Sequence, residues 1–392
     1  MIGDLTDGAT TVVGRRVRDC IASGSSCEDQ STKSYERPGD LESDACQADS
    51  CCVWDFIQQD LVPRFRDGNG TCNGLARAAV RLGFHDAGAW STTSGAGGAD
   101  GSLVLSSDEI DRPENNGLQE IRSEALRLLD RYPGVSAADL VQFMHNIATV
   151  TCPLGPRMLT LVGREDSRDA NPAGLIPGNN GTDASYLIEL FENKTISARD
   201  LGALLGAHTV ARQFHLNPSR AGQGLDTTPG IWDMNFYREM ALSSPPPGVF
   251  RLPSDEALSQ ADGTSQRFQA FTDVTFGQTV WNRDYSSAYA RLSLLGVNKI
   301  NQLSDCTRVL PDAVTSFSAP SASSSASAGH GAWMGTGAVC SYNTTGFKPN
   351  RQRRGDYLDD HQGTIQVAAK RMPAPLASIC KGSTVLAWTW NK

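Results

Sequence analysis

The chain has 392 residues, a formal net charge of −8 and 43 acidic against 35 basic side chains. A sequence pI near 5.3 argues against a nucleic-acid partner, and no apolar run reaches the ~18–20 residues that a membrane span needs. At 39% hydrophobic content the length suffices for one large domain or two lobes around a sizeable core.

Taken in order, Met1-Ile2-Gly3-Asp4 leads into polar sequence without the apolar core of a signal peptide. A leader therefore precedes this numbering, or Met1 is an added start. Residues 1–50 are Ser- and Asp-rich and carry three cysteines, which predicts a loop-rich extension stapled by disulfides. From Cys51 helical spacing takes over. Val53, Phe56, Ile57 and Leu61 mark one helix face, and Arg77, Arg81 and His85 recur every four residues on a second helix. Residues 86–117 are rich in Gly, Ser and Asp and read as an ordered loop. Leu118–Tyr132 reads as a helix stopped by Pro133-Gly134, and Ser136 with Asp139 caps another through Ile147. Residues 165–183 read as loop.

Ser197 and Asp200 form a capping-box-like start to the stretch Leu201–Leu216. There Leu201, Leu204, Leu205, His208 and Arg212 fall on one helical stripe, so His208 points at whatever that helix covers. A long loop to about Asp233 and several short helices follow. A helix from about Tyr285 ends at Gly296, a suitable C′ residue. Residues 315–331 are Ser/Ala-rich and read as flexible. No repeat is visible and long alternating runs are scarce, so the fold class is mainly α.

Ten cysteines, spread widely and without a CxxC pair, read as five disulfides and not as zinc sites. Four N-x-S/T sequons, at Asn69, Asn180, Asn193 and Asn343, point the same way, to a secreted chain.

Arginine and histidine at i, i+4 in ARAAVRLGFHDAG would set a fixed positive charge beside a titratable base. RLGFHD followed by LLGAHTVA resembles the plant–fungal–bacterial haem peroxidases, and the finer features resemble the secreted fungal class II group that includes lignin and manganese peroxidases. The match runs over roughly Cys51–Pro311. It implies a two-lobed fold with haem b between a distal lobe (51–170) and a proximal lobe (171–311). Residues 1–50 would be an extension, and 312–392 a Ser-rich linker and tail.

The resemblance assigns roles residue by residue. His208 becomes the proximal iron ligand, and Asp255, in LPSD, the acceptor of its Nδ1–H, which stabilises high-valent iron. Arg81, Phe84 and His85 become the distal trio. Asn115, in PENNGL, accepts from His85 Nδ1–H and donates to Glu109, leaving His85 Nε2 free as a base. Asp86, Gly98, Asp100 and Ser102 resemble a distal calcium site. Thr209, Asp226, Thr228, Ile231 (through its backbone) and Asp233 resemble a proximal one; oxygen donors at such spacing suit a hard cation. Cys72–Cys152 and Cys51–Cys306 resemble family bridges. Cys52 would pair upstream with Cys46, Cys27 or Cys20, and Cys340–Cys380 is a candidate local bridge in the tail.

The implied activity is reduction of hydrogen peroxide to water with two one-electron oxidations of small phenolic or aromatic donors, by a secreted monomer. Substrate features of the ligninolytic members are missing. Gly74, Ala78 and Phe214 occupy the positions of the manganese carboxylates, and Ala203 occupies that of an exposed tryptophan. Trp90, Trp232, Trp281, Trp333, Trp388 and Trp390 remain as substitutes. The competing reading is a catalytically weak or silent peroxidase-like extracellular scaffold.

Overall fold

A computed structural model describes residues 1–24, 27–178 and 183–318. The sequons at Asn180 and Asn343, the Cys340–Cys380 bridge, Trp333, Trp388 and Trp390 lie outside them, as does most of the Ser/Ala-rich stretch. Among the described residues the fold is mainly α. Its one ladder pairs Leu161 with Asp305 and Val162 with Ser304, antiparallel.

The main core is built on helices Cys52–Phe65, Gly74–Ala87, Gln119–Arg131, Ala137–Thr151 and Gly277–Leu292. Helix Ala137–Thr151 is buried along its whole length. It starts where the Ser136 hydroxyl accepts from Asp139 N, as the sequence predicts. Helix Gly74–Ala87 lies against it at a glycine. A Cβ on Gly83 would fall 2.3 Å from Tyr289 Oη and 2.7 Å from His145 Cβ, so only a residue without a side chain permits this approach. The Asn73 side chain caps the same helix by accepting from Leu75 N and Ala76 N, an arrangement worth about 1 kcal/mol.

Four disulfides occur among the described residues. Cys72–Cys152 and Cys51–Cys306 form as expected, Cys46 is the partner of Cys52, and Cys20 pairs with Cys27.

Several boundaries differ from the sequence reading. The extension is not all loop, because Val12–Ser23 is a helix capped by Thr11. Val17, Cys20 and Ile21 from this helix join Ile2 and Leu5 in a second core against Leu159, Leu161, Leu294, Ile300 and Leu303. This face is short and flanked by charge, which hid it in a polar composition. Residues 86–117 contain the short helices Ser102–Leu105 and Ser107–Ile110. The last long helix begins at Gly277, eight residues before Tyr285, and ends at Leu292. Gly296 lies beyond that end, at φ +76°, where a Cβ would fall 2.1 Å from the Gly97 carbonyl oxygen.

The stretch Leu201–Leu216 is not one helix. The α-helix Ala198–Leu204 tightens into the 3-10 turn Leu205–Val210, and Ala211 is extended. Arg212 thus leaves the stripe and bridges to Gly224. The cause is tertiary. Thr209 is tied to the Asp226 carboxylate and Leu225 N donates to Ala211 O, which pulls the chain out of the helix. Gly206 has its own role in this turn, since a Cβ there would fall 2.4 Å from the Trp281 indole. His208 keeps its place on the inner face.

Candidate active site

The helix Gly74–Ala87 and the turn Leu205–Val210 face one cavity of about 900 Å³. Arg81, Phe84 and His85 line one wall, and His208 with Leu204, Leu205 and Leu252 lines the other.

On the first wall, His85 Nδ1 lies 2.8 Å from Asn115 Oδ1. The Asn115 amide nitrogen donates at 2.7 Å to Glu109, but to its backbone carbonyl. This corrects the expectation for Glu109. Its carboxylate instead accepts from Ser102 Oγ at 2.7 Å and from Asn171 N at 2.8 Å. The 3-10 turn Pro113–Asn115 brings Asn115 within reach of the main chain of helix Ser107–Ile110. The tautomer follows all the same: Nδ1–H donates to Asn115, and Nε2 keeps its lone pair. Arg81 Nε donates to that nitrogen at 3.2 Å, while its guanidinium also holds the carbonyls of Asn116 and Glu114. Burial and the Arg81 charge hold the His85 imidazole well below its usual range. Burial lowers Arg81 to about 10, so it stays charged at neutral pH. The Phe84 ring stands edge-on to His85, with centroids 5.3 Å apart, and stacks on Phe191.

On the second wall, His208 Nδ1 lies 2.8 Å from Asp255 Oδ2. Asp255 sits in the first turn of helix Pro253–Gln260 and is buried. Burial lowers the affinity of His208 for a proton, but the Asp255 carboxylate more than offsets this and the net shift is upward. Phe236 packs edge-on against the ring at 5.7 Å. With Nδ1 committed, Nε2 is the nitrogen left to face the cavity.

Two oxygen clusters flank these walls. In the first, the Asp86 carboxylate accepts from Gly101 N and Leu103 N, Asp100 accepts from Ser102 N, and the Gly98 carbonyl accepts from Asp100 N. Burial and the neighbouring charges of Asp100 and Glu109 raise Asp86 well above the usual carboxylate range. Asn171 was not foreseen. Its amide nitrogen reaches the carbonyls of Gly98 (3.2 Å) and Asp86 (3.4 Å), and its backbone joins this cluster to Glu109. Its neighbour Pro172 in a loop gave no chemical signal that could have found it.

In the second cluster, Thr209 Oγ1 contacts Asp226 and the Ile231 carbonyl, and Thr228 Oγ1 lies 3.1 Å from Asp233. Burial and mutual repulsion raise Asp226 well above the usual range, and burial pushes Asp233 up to about 6. Among the described residues no group of three or more His, Cys, Asp or Glu converges on one point. Each cluster instead combines two of the expected carboxylates with hydroxyl and carbonyl oxygens. The sequence-derived residues thus lie near one another at all four places, with Glu109 meeting Asn115 only through its backbone carbonyl.

A family model described as "Peroxidase" matches residues 57–274. The chain belongs to the peroxidase family. Peroxidases of Arthromyces ramosus and Coprinopsis cinerea are each 35% identical over 292 residues, covering 69% of this chain and 78% of theirs. Manganese peroxidase 3 of Phlebia radiata is 30% identical over 282 residues, 66% of this chain and 76% of its own. This peroxidase is a relative of the fungal class II enzymes, and its activity is haem-dependent oxidation with hydrogen peroxide. The cavity fits that cofactor. Two imidazoles face it with Nδ1 already bound, one beside a carboxylate and one beside a guanidinium, and the remaining lining is largely apolar.

Proposed function

We propose that this peroxidase oxidises small phenolic and aromatic donors outside the cell, as a monomer with one haem b and two calcium ions. The observation that carries the reading is the presence of His85 and His208 on one cavity, each with its Nδ1 fixed by a different class of acceptor.

Haem, when bound, would supply a redox-active iron that takes up the oxidising equivalents of hydrogen peroxide. His208, with Nδ1 committed to Asp255, would hold the iron through Nε2. Asp255, accepting from Nδ1–H, makes the imidazole a stronger electron donor. His85 takes a proton from peroxide on Nε2 and returns it to the departing oxygen as water forms. For this, Arg81 must release the 3.2 Å bond it makes to that nitrogen. Its guanidinium then stabilises the negative charge that develops as the O–O bond breaks. Phe84 walls the approach and restricts water.

Asp86, Gly98, Asp100 and Ser102 would hold one calcium, and Thr209, Asp226, Thr228, Ile231 and Asp233 the other. Buried carboxylates raised by burial and repulsion, surrounded by hydroxyls and carbonyls, suit a hard cation. Extracellular location is supported by four disulfides and by the exposure of the sequon residues Asn69 and Asn193.

Gly74, Ala78 and Phe214 all line the cavity and offer no carboxylate, and Arg77 and Arg212 line it beside them. Burial and, after it, the nearby Arg212 charge depress Arg77. The two guanidinium charges disfavour a divalent cation there, which supports organic donors. Ala203 is buried, Trp232 and Trp281 are buried, and Trp90 is half-buried. Direct oxidation at the cavity edge is the route these facts support.

The test is a Soret band on purified protein together with peroxide-dependent oxidation of a phenolic dye. A Soret band without turnover would favour the silent scaffold, and absence of both would remove the haem reading for this cavity.

A further inference from the structure

Behind the cavity lies a group that the reaction above does not use. Tyr285 and Tyr289 both line the cavity, and both sit on the inner face of helix Gly277–Leu292. Their rings are parallel with centroids 5.9 Å apart. Their hydroxyls end differently. Tyr289 donates at 2.7 Å to the amide oxygen of Gln142, which cannot take its proton. Tyr285 lies 3.0 Å from Nε2 of His145.

The His145 tautomer is set from its other side. Asn146 commits its amide nitrogen to Thr160 Oγ1 at 2.8 Å, so its Oδ1, 3.0 Å from His145 Nδ1, must accept. Nδ1 therefore carries the ring proton and Nε2 carries the lone pair, so Tyr285 donates. His145 has no exposed surface. Burial holds it far down, at about 3, and it is neutral throughout the working range. A buried phenol aimed at a neutral imidazole, on the wall of a cavity where oxidising equivalents arise, is the arrangement in which losing an electron and shifting a proton become one event. An oxidised phenol that kept its proton would be a very strong acid, and His145 Nε2, 3.0 Å away, is the basic site placed to take that proton.

We propose that Tyr285 is an internal one-electron donor and that His145 is its proton acceptor. This rests on the peroxidase activity, which supplies the oxidant. One electron leaves the Tyr285 ring for the peroxide-oxidised haem. The O–H bond breaks and its proton moves across the 3.0 Å bond to His145 Nε2. The products are a neutral phenoxyl radical and an imidazolium. A donor molecule later returns the electron, and the proton goes back to the phenol oxygen. Trp232 stands edge-on to Tyr285 at 4.7 Å and stacks on Trp281 at 4.9 Å, so indoles are the competing location for the same hole.

The experiment is freeze-quench electron paramagnetic resonance of the haem-loaded protein after one equivalent of peroxide, without donor. Protein carrying ring-deuterated tyrosine is compared with protein carrying ring-deuterated tryptophan. The expected result is a radical whose hyperfine structure changes only with deuterated tyrosine. Tyr285→Phe removes it, and Tyr289→Phe keeps it. His145→Phe lowers its yield by about tenfold or more, because the acceptor is gone. A radical that responds to deuterated tryptophan, survives Tyr285→Phe or ignores His145→Phe overturns the proposal, and so does a wild-type protein with no radical. The labelled wild type decides the residue class even if a variant fails to fold. Turnover of a phenolic dye by the same preparation separates this failure from failure of the peroxidase activity itself.

Discussion

Nδ1 of His208 and Oδ2 of Asp255 lie 2.8 Å apart, and among the described residues none partners the second oxygen of that carboxylate. The same 2.8 Å separates His85 Nδ1 from Asn115, yet there the acceptor is a neutral amide. The difference divides the work. A carboxylate pushes electron density through the imidazole toward a metal, whereas an amide only orients the ring and leaves its basicity to the surroundings.

Asp255→Asn should therefore keep the geometry and lose the charge. The iron reduction potential should move to more positive values, and turnover should fall by about 10–100-fold. A spectroelectrochemical titration checks the first, and an unchanged potential would remove Asp255 from this role.

His85→Leu should slow the reaction with peroxide by at least about 10²–10⁴-fold while leaving haem bound. Stopped-flow mixing checks it. An unaltered rate would show that another group handles the proton.

The pH dependence follows from the direction of the His85 shift. Burial and Arg81 hold the folded imidazole well below 6.5, so the base is already neutral at pH 6–8. The peroxide step should be flat across that window and fall only in more acidic solution. The stability linkage has the same sign. The unfolded chain takes up this proton first, so the contribution of His85 to stability is complete above about 6.5 and declines as pH drops toward the folded value.

Mn(II) should not accelerate turnover, because Gly74, Ala78 and Phe214 offer no oxygen ligand and Arg77 and Arg212 repel the ion. Steady-state rates with a phenol, with and without Mn(II), test this. Saturable Mn(II) oxidation would reveal a site elsewhere on the chain.

Val17→Ala should lower stability by about 1–3 kcal/mol, because its side chain is fully buried in the N-terminal core. The Soret maximum should not move. A negligible change in chemical denaturation would mean that the helix Val12–Ser23 contributes little to the folded state.

Much of this site was legible along the chain because its residues are bound to local spacing. Arg81, Phe84 and His85 share one helix, and their four-residue interval carries over into space. Asp226, Thr228, Ile231 and Asp233 lie within one loop, so their convergence needs only that the loop close. Cysteine content and sequons likewise read directly as an oxidised chain, and the helical class follows from periodicity.

Folding settled the contacts that depend on a second segment. The stripe through His208 continues to Arg212 in the sequence, but ties from Asp226 and Leu225 end the helix first. The family resemblance placed Glu109 beside Asn115, yet whether its carboxylate or its carbonyl met the amide depended on Ser102 and Asn171 claiming the carboxylate. The pairing of Tyr285 with His145 spans 140 positions and leaves no periodic trace. Side-chain spacing reports what one helix or loop presents. Which groups meet across the core is fixed by packing, where every buried donor must find an acceptor that another part of the chain supplies.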